Sequence, residues 1–461
     1  MNLSIIILAA GQGTRMCSAR PKVLHPLAGR PLLAHVIDTA RELQPDDIHV
    51  VIGHGAEQVQ RDFEDTDIQW ALQAEQLGTG HAVAQAMPAI PDGNCVLVMY
   101  GDVPLVSRAT LEPLCSLAEQ GMAALLTAEL DDPDGYGRIL HHADGSICGI
   151  VEQKDASASE RALNEINTGF VAAPAARLRG WVAALDNNNA QGEFYLTDVI
   201  ARAVAEGTSV RGVMADDITE VLGINDRKQL AVQERCYQQR QAERCLQAGV
   251  TLADPARFDL RGTLTAGEDV LIDVNAVLEG NIVLGNRVSI GPNVVMRNAT
   301  VGDDVTILAN CVIEDAEIGS RSRIGPFARL RPETRLSTNT HIGNFVEIKK
   351  SDVGEGSKVN HLSYIGDTSI GTDVNIGAGT ITCNYDGANK HRTIIGDRVF
   401  IGSDTQLVAP VEVREGATIG AGSTITRDVE ANELALSRAP QETRTGWKRP
   451  VKKTKGSTPS R

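Results

Sequence analysis

The chain has 461 residues, more than one hydrophobic core accommodates, so two or three domains are expected. Apolar residues make up 42% and charged residues 22%, the balance of a soluble globular protein, and the formal charge of −15 argues against bulk binding to nucleic acid or an anionic membrane. Eight cysteines without a CxxC pair fit reduced thiols in the cytoplasm. No apolar stretch approaches a membrane span, and the apolar N-terminal run lacks the basic flank of a signal peptide.

From the N-terminus to about residue 225, short apolar runs alternate with helical patterns. Residues 4–8, 48–52, 95–100 and 123–128 read as buried strands, and 32–43, 80–86 and 111–119 as helices. This alternation predicts a Rossmann-like α/β layer with a mostly parallel sheet, whose ligands sit outside the carboxyl ends of the strands. The first strand breaks into Ala9-Ala10-Gly11-Gln12-Gly13-Thr14-Arg15. Such a glycine loop can close backbone N–H groups on a phosphate. Met16 stands where a dinucleotide fingerprint needs its third glycine. Arg15 and Lys22 place two cations beside the loop, which suits a triphosphate. The loop alone also fits a tight structural turn.

Residues 225–249 are polar and rich in Gln, Glu and Arg. They predict one long exposed helix linking two domains, with Asn225 as N-cap and Gly249 as C-cap. The expected division is 1–224, a linker helix over 225–250, and 251–461. Beyond Asp254 an aliphatic residue followed by glycine recurs, as at Leu284-Gly285, Ile290-Gly291, Ile324-Gly325, Ile342-Gly343, Ile401-Gly402 and Ile419-Gly420. Glycine spacings of 6 (285 to 291) and 18 (325 to 343) mark hexapeptides, three to a coil of a parallel β-helix. The aliphatic residue is expected inside each rung and the small residue at the corner. Between Gly377 and Gly396 the spacing is 19, and the segment TCNYDGANKHRT lacks a rung residue. It reads as a loop ejected from the coil, a common carrier of function. The basic tail from Trp447 to Arg461 is expected to be a disordered, solubilising end.

Several motifs carry a family resemblance. In the N-terminal half they are LAAGQGTRM and PKVL (residues 8–16 and 21–24), QAEQLGTGHA (73–82), YGDVPL (100–105), GYGRI (135–139), IVEQKDA (150–156) and EINTG (165–169). In the repeat half they are RLRP (329–332), NFVEIKK (344–350), HLSYIGD (361–367), NIGAGTITCNYDG (375–387) and GSDTQLVAP (402–410). Together they closely resemble the bacterial bifunctional N-acetylglucosamine-1-phosphate uridylyltransferase/glucosamine-1-phosphate acetyltransferase family, over nearly the whole chain and in the same order. The sequence departs from that pattern at Gln12, where the family often has a lysine.

The resemblance implies a left-handed β-helix and a homotrimer. It also implies acetylation of glucosamine 1-phosphate by acetyl-CoA, then uridylyl transfer from UTP to give UDP-N-acetylglucosamine for peptidoglycan and lipopolysaccharide synthesis. In the N-terminal half, Leu8, Ala9, Ala10 and Gly11 would line the nucleotide, with Tyr100 and Gly101 beside it. Gln73, Gly78 and Thr79 would hold uracil, and an amide can donate and accept at a base edge. Asp102 and Asn225 offer oxygen ligands for Mg²⁺. Gly137, Glu152 and Asn167 would bind the sugar, while Arg15, Lys22 and Mg²⁺ offset developing charge. In the repeat half, His361 is suited to take the proton of an attacking amine. Arg331 and Lys349 would hold the sugar phosphate. Tyr364 and Asn375, with Asn384 and Tyr385 from the ejected loop, would orient the amino sugar. Ala378, Ser403, Ala421 and Arg438 would meet acetyl-CoA, which Asn384 and Tyr385 also reach. Taken without the family, Gln73 also reads as a surface amide, Asn225 as a cap, and His361 as structural. Two other functions remain open: a one-reaction nucleotidylyltransferase on a structural β-helix, and a non-catalytic assembly protein. The first has no need of His361, Arg331, Lys349 and the 384–385 pair together, and the second none of Asp102, Lys22 and His361.

Overall fold

A computed structural model describes residues 2–63 and 67–452. The tail beyond residue 452, expected to be disordered, lies outside the described residues. The chain forms two compact units: Met1–Ala248 with Asp254–Gly262, and Gly249–Ala253 with Thr263–Arg461.

The first unit is built on strands β1 (Leu3–Leu8), β2 (Asp47–Ile52), β3 (Ile68–Leu72), β4 (Cys95–Tyr100), β5 (Ala123–Glu129), β6 (Arg138–His141), β7 (Ile147–Val151), β8 (Glu165–Pro174) and β9 (Val210–Met214). Their main order is β9-β5-β8-β4-β1-β2-β3, with β6 and β7 as a hairpin off β8. The pairs β1–β2, β1–β4, β2–β3 and β5–β9 are parallel. The main sheet is mostly parallel, as expected, but β8 runs antiparallel to both β4 and β5. The stretch that pairs with β4, in the apolar second half of EINTGFVAAP, carries no signal of direction.

The run of apolar residues in β1 is explained by burial on both faces. Ile5 and Ile7 join Leu97, Met99 and the residues Val36, Ala40, Leu111 and Leu114 of helices α1 (Leu32–Glu42) and α3 (Arg108–Glu119). Ile6 and Leu8 join Val96, Val98 and the residues Ala82, Val83, Leu178, Trp181 and Val199 of helices α2 (Thr79–Ala86), α4 (Ala175–Ala183) and α5 (Asp198–Ala205). A strand buried on both faces reads as continuous hydrophobicity and not as alternation.

The long helix α6 spans Arg227–Gln247. Its cap is Asp226, whose side chain accepts from the Gln229 N–H at 2.8 Å, so the expected capping by Asn225 is corrected by one residue. The side chain of Asn225 is thereby free for the site described below. Nor is the helix exposed all round: it belongs to the first unit, where Leu230, Cys236 and Tyr237 pack on Leu27, Leu32, Leu105 and Ile224.

The second unit is a stack of short parallel strands. One interior column runs Ile290, Ile307, Ile324, Ile342, Val359, Ile376, Ile401, Ile419 in direct register, every member at least 97% buried. The step along the column is 17 or 18 residues, except for the 25 between Ile376 and Ile401. That excess is the expected ejected loop, emerging between strands Ile381–Cys383 and Thr393–Ile395 and closed by an antiparallel bridge from Tyr385 to Lys390. Some of the repeat glycines do turn corners in the left-handed region, as Gly325 does at φ +91°, but others are required by the close approach of coils. A Cβ on Gly343 would fall on the Asn360 carbonyl of the next coil. Successive coils lie too close for a side chain there. Many corners are made by non-glycine residues in the left-handed region. Among them are Asn275, Asn293 and Asn310, whose amides form a ladder of 2.9 and 3.2 Å bonds.

Candidate functional site

The first unit has a cavity of about 310 Å³ at the carboxyl ends of its parallel strands. Leu8 of β1 pairs with Tyr100 of β4 there, and the Gly101 N–H donates to the Leu8 carbonyl at 3.0 Å. Strands β2 and β3 follow β1 on one side, whereas β4 lies on the other. The crevice between β1 and β4 is therefore a topological switch point, where open α/β sheets bind ligands. Leu8, Ala9, Ala10, Gly11, Lys22, Gln73, Gly78, Thr79, Tyr100 and Asp102, all assigned to the nucleotide or its metal from the sequence, line this one cavity together with Gln76 and Glu193, which sequence reasoning did not single out. Both fall within or beside turns that a motif reading treats as spacers.

Local backbone chemistry sets these groups in place. Gly13 has φ +63°, and a Cβ on it would meet the Lys22 Cβ at 2.6 Å, so glycine here lets the lysine stem pass under the loop. Gly78, at φ +110°, lies against the backbone of Phe194, and the Thr79 hydroxyl accepts from the Leu196 N–H at 3.1 Å. These contacts fix the 78–79 turn at the rim. Gln73 is 3% exposed, and its amide nitrogen donates to the Gly78 carbonyl at 3.0 Å and faces His81 Nδ1 at 3.1 Å. The expectation that this amide both donates and accepts toward a ligand is thereby corrected: its NH₂ is engaged within the protein, leaving the oxygen.

Lys22, Asp102 and Asn225 converge from three distant points in the sequence. The Lys22 ammonium forms an ion pair with Asp102 and donates to Asn225 Oδ1 at 3.2 Å. Lys22 and Asp102 are both about 15% exposed, so the pair is shielded from water. A cation thus already bridges the two oxygens expected to hold a metal. Among the described residues no cluster of three or more His, Cys, Asp or Glu side chains is placed to hold one. Two oxygen donors beside the glycine loop suit a hard cation such as Mg²⁺, which protein sites hold through one or two side-chain oxygens. Arg15 stands exposed on the turn and does not line the cavity.

The residues expected at the sugar form their own group. The Asn167 N–H donates to the Gly137 carbonyl at 2.8 Å, and a Cβ on Gly137 would approach Glu152 Oε2 at 3.5 Å. Glu152 accepts from the Thr197 hydroxyl at 3.0 Å, and burial pushes its carboxyl above the usual carboxylate range. Asn167, Thr197 and Tyr100 line one small pocket, in which burial also raises the Tyr100 phenol.

In the second unit, His361 ends the strand Lys358–His361. Its Nδ1 lies 2.8 Å from Asn344 Oδ1, the residue paired with it on the preceding coil. An amide oxygen only accepts, so Nδ1 carries the hydrogen and Nε2 keeps a free lone pair. Of the rival histidines, His391 has its Nε2 2.7 Å from the Asp386 carboxylate, and His341 stands in register between the cationic residues Arg323 and Lys358. Asn344 was visible only as part of a motif, because its role depends on a neighbour 17 residues away.

A second cluster gathers Arg331, Lys349, Tyr364 and Asn384. Arg331 donates to Glu347 at 2.8 Å, Glu347 pairs with Tyr364, and the Asn384 amide lies 3.5 Å from the Tyr364 hydroxyl. The same amide donates to the buried Asp367. Lys390, in the ejected loop, stands beside Lys349; that neighbour first, and burial second, hold the Lys349 ammonium below its ordinary range, with Asp367 opposing. Lys390 and Asp367 escaped sequence reasoning. Among the described residues no hydrogen bond joins this cluster to the His361–Asn344 pair. Tyr385 is exposed, its hydroxyl donating to the Gly387 carbonyl at 2.6 Å. Asn375 pairs with Lys358 and Phe400. Ala378, Ser403 and Ala421 occupy neighbouring corners: the Asp404 N–H donates to Ala378, the Gly422 N–H to Ser403, and the Arg438 guanidinium to the Ala421 carbonyl at 2.7 Å.

All eight cysteines are free thiols, and among the described residues no helix is long and apolar enough to cross a membrane. Residues 5–187 match the MobA-like NTP transferase domain, residues 260–334 the GMPPB C-terminal domain, and residues 392–427 the bacterial transferase hexapeptide in six repeats. The chain is 58% identical over 450 residues to the bifunctional protein GlmU of Marinobacter nauticus, an alignment covering 98% of this chain and 99% of that protein. A nucleotidyltransferase unit with a lysine–carboxylate pair in its cavity, followed by a hexapeptide unit with an oriented histidine, is matched to that relative over nearly its whole length: the chain belongs to the bifunctional GlmU family.

Proposed function

We propose how the two reactions of this bifunctional transferase are distributed over its residues. The enzyme acetylates glucosamine 1-phosphate with acetyl-CoA and joins the product to UMP from UTP, releasing UDP-N-acetylglucosamine and pyrophosphate. In the first unit the sugar phosphate oxygen attacks the α-phosphorus of UTP and needs no protein nucleophile. Positioning and charge neutralisation carry the rate. Lys22 holds the phosphates of the nucleotide over the Leu8–Gly11 backbone, and Glu152, Asn167 and Gly137 hold the sugar. Asp102 and Asn225 are the residues that hold Mg²⁺, which when bound supplies further positive charge at the phosphates. Lys22 contacts both oxygens in the structure, so with Mg²⁺ held by them its ammonium would be available to the substrate phosphates.

In the second unit the amine of glucosamine 1-phosphate loses its proton to His361 Nε2 as it attacks the thioester. Asn344 keeps the imidazole in the tautomer that can accept it. Arg331, Lys349 and Lys390 hold the sugar phosphate. Tyr364, Asn375, Asn384 and Tyr385 orient the amino sugar, and Ala378, Ser403, Ala421 and Arg438 hold the coenzyme. The protein works in the cytoplasm as a homotrimer. Support for the trimer comes from an exposed apolar column, Phe327, Phe345 and Leu362, on successive coils next to Asn344 and His361. The two rings stack with centroids 5.2 Å apart. An apolar face of that kind marks a contact surface, and three prisms close about one axis.

The observation that carries the proposal is the oriented His361, which a structural β-helix has no need of. The test is thiol release from acetyl-CoA with glucosamine 1-phosphate, beside pyrophosphate release from UTP with N-acetylglucosamine 1-phosphate, on one preparation. Absence of the first activity would leave a one-reaction nucleotidylyltransferase.

A further inference from the structure

We infer that His81 is a positioning residue for nucleobase choice: it fixes the orientation of the Gln73 amide so that the first unit accepts a base with an N–H, uracil, and rejects cytosine. The inference rests on reading the 310 Å³ cavity as the uridylyl site.

Gln73 lines that cavity yet is 97% buried, so the direction of its amide is set by protein neighbours. Its nitrogen has two hydrogens and two partners, the Gly78 carbonyl at 3.0 Å and His81 Nδ1 at 3.1 Å. Both hydrogens are spent, and the only group left to face a ligand is Oε1, an acceptor. The His81 ring lies between two amide nitrogens, since Gln85 Nε2 is 3.2 Å from its Nε2. A neutral imidazole has one acceptor nitrogen, so it accepts from only one of them. Gln85 already donates to the His81 carbonyl at 3.1 Å and stands partly exposed, whereas Gln73 is buried. An unmet donor costs more where water cannot reach it. Nδ1 therefore accepts from Gln73, and the ring hydrogen sits on Nε2.

Uracil carries a hydrogen on N3, and cytosine a lone pair. To serve cytosine N3, the Gln73 amide would turn over and set its oxygen against the Gly78 carbonyl and against His81 Nδ1. The clash with the Gly78 carbonyl, and the shift of the His81 hydrogen from Nε2 to Nδ1 that the turned amide would demand, are the penalty that rejects CTP. The Gly78 carbonyl is backbone and cannot be removed, but the His81 half can.

The experiment compares kcat/KM for UTP and CTP, with N-acetylglucosamine 1-phosphate, in the full chain. His81→Leu removes the acceptor, and the UTP-over-CTP preference is expected to fall about tenfold, the worth of one buried hydrogen bond. His81→Asn places an oxygen where Nδ1 stands and should keep the wild-type ratio. A ratio unchanged in His81→Leu overturns the inference, as does an equal loss in His81→Leu and His81→Asn. Should His81→Leu fail to fold, the ¹⁵N resonances of the His81 ring in the wild-type protein decide: an unprotonated Nδ1 supports the inference, and an Nδ1–H tautomer overturns it. A wild-type protein that does not turn over UTP would sink the reading of the cavity itself, an outcome separate from either.

Discussion

The hydrogen bond between His361 and Asn344 makes a quantitative prediction about acetyl transfer. If His361 is the base, His361→Ala should lower acetyl-transfer kcat by about 10²–10⁴-fold, the usual range for a general base. Asn344 acts only through His361, by holding the hydrogen on Nδ1 across 2.8 Å. A neutral hydrogen bond is worth about 0.5–1.5 kcal/mol, which converts to roughly 2- to 13-fold in rate. Asn344→Ala should therefore cost about that much in kcat and little in the acetyl-CoA KM. Because the effect passes through the imidazole, it should vanish in the His361→Ala background, so that the double variant equals the His361→Ala single. The assay is thiol release at neutral pH on all four proteins, with pyrophosphate release from UTP as an internal control that should not change. If Asn344→Ala costs the same factor with and without His361, or if His361→Ala keeps a third of wild-type kcat, the assignment of the base is wrong.

Asp102→Ala should abolish uridylyl transfer, by removing both the proposed Mg²⁺ ligand and the partner of Lys22, while acetylation stays near normal; loss of both activities in a folded variant would refute separate sites. Light scattering at micromolar concentration should report a trimer, and mixing His361→Ala with Asn384→Ala chains should recover some acetylation if the two residues reach one site from different chains. Gly343→Ala should sharply lower the melting temperature, because the new methyl lands on the Asn360 carbonyl; an unchanged transition would show that the coils can part. Glu152 is a carboxyl raised by burial, so the folded state holds its proton more tightly than the unfolded one. Its contribution is full below the unfolded value near 4.5 and is lost as pH rises through the folded value. Glu152→Gln should then raise thermal stability at pH 7 more than at pH 4 and weaken sugar-phosphate binding; equal shifts at both pH values would contradict the buried charge.

Much of the architecture follows from the sequence by itself, because it rests on short-range periodicity. The apolar run 5–8 ending in a glycine loop, the helices over 32–43 and 80–86, and the repeated aliphatic–glycine pairs each encode a local element whose side-chain period is fixed by backbone geometry. The 19-residue gap between Gly377 and Gly396 located the ejected loop for the same reason: a solenoid counts residues, and an insertion breaks the count. What only the tertiary structure decided is whatever depends on contacts between distant residues. The direction of β8 is set by its neighbours, since an apolar strand buried on both faces reads alike in either sense. Asp226 and not Asn225 caps the long helix, and the Asn225 amide oxygen instead accepts from Lys22 at 3.2 Å, 203 residues earlier in the chain. Asn344 and Lys390 become parts of a site only when the coils stack them beside His361 and Lys349. The Gln73 amide, whose residue type alone permits donor and acceptor alike, is reduced to one acceptor by Gly78 and His81. Residue type sets what a group can do, and the folded surroundings, by using some of its bonds, set which of those capacities is left for a ligand.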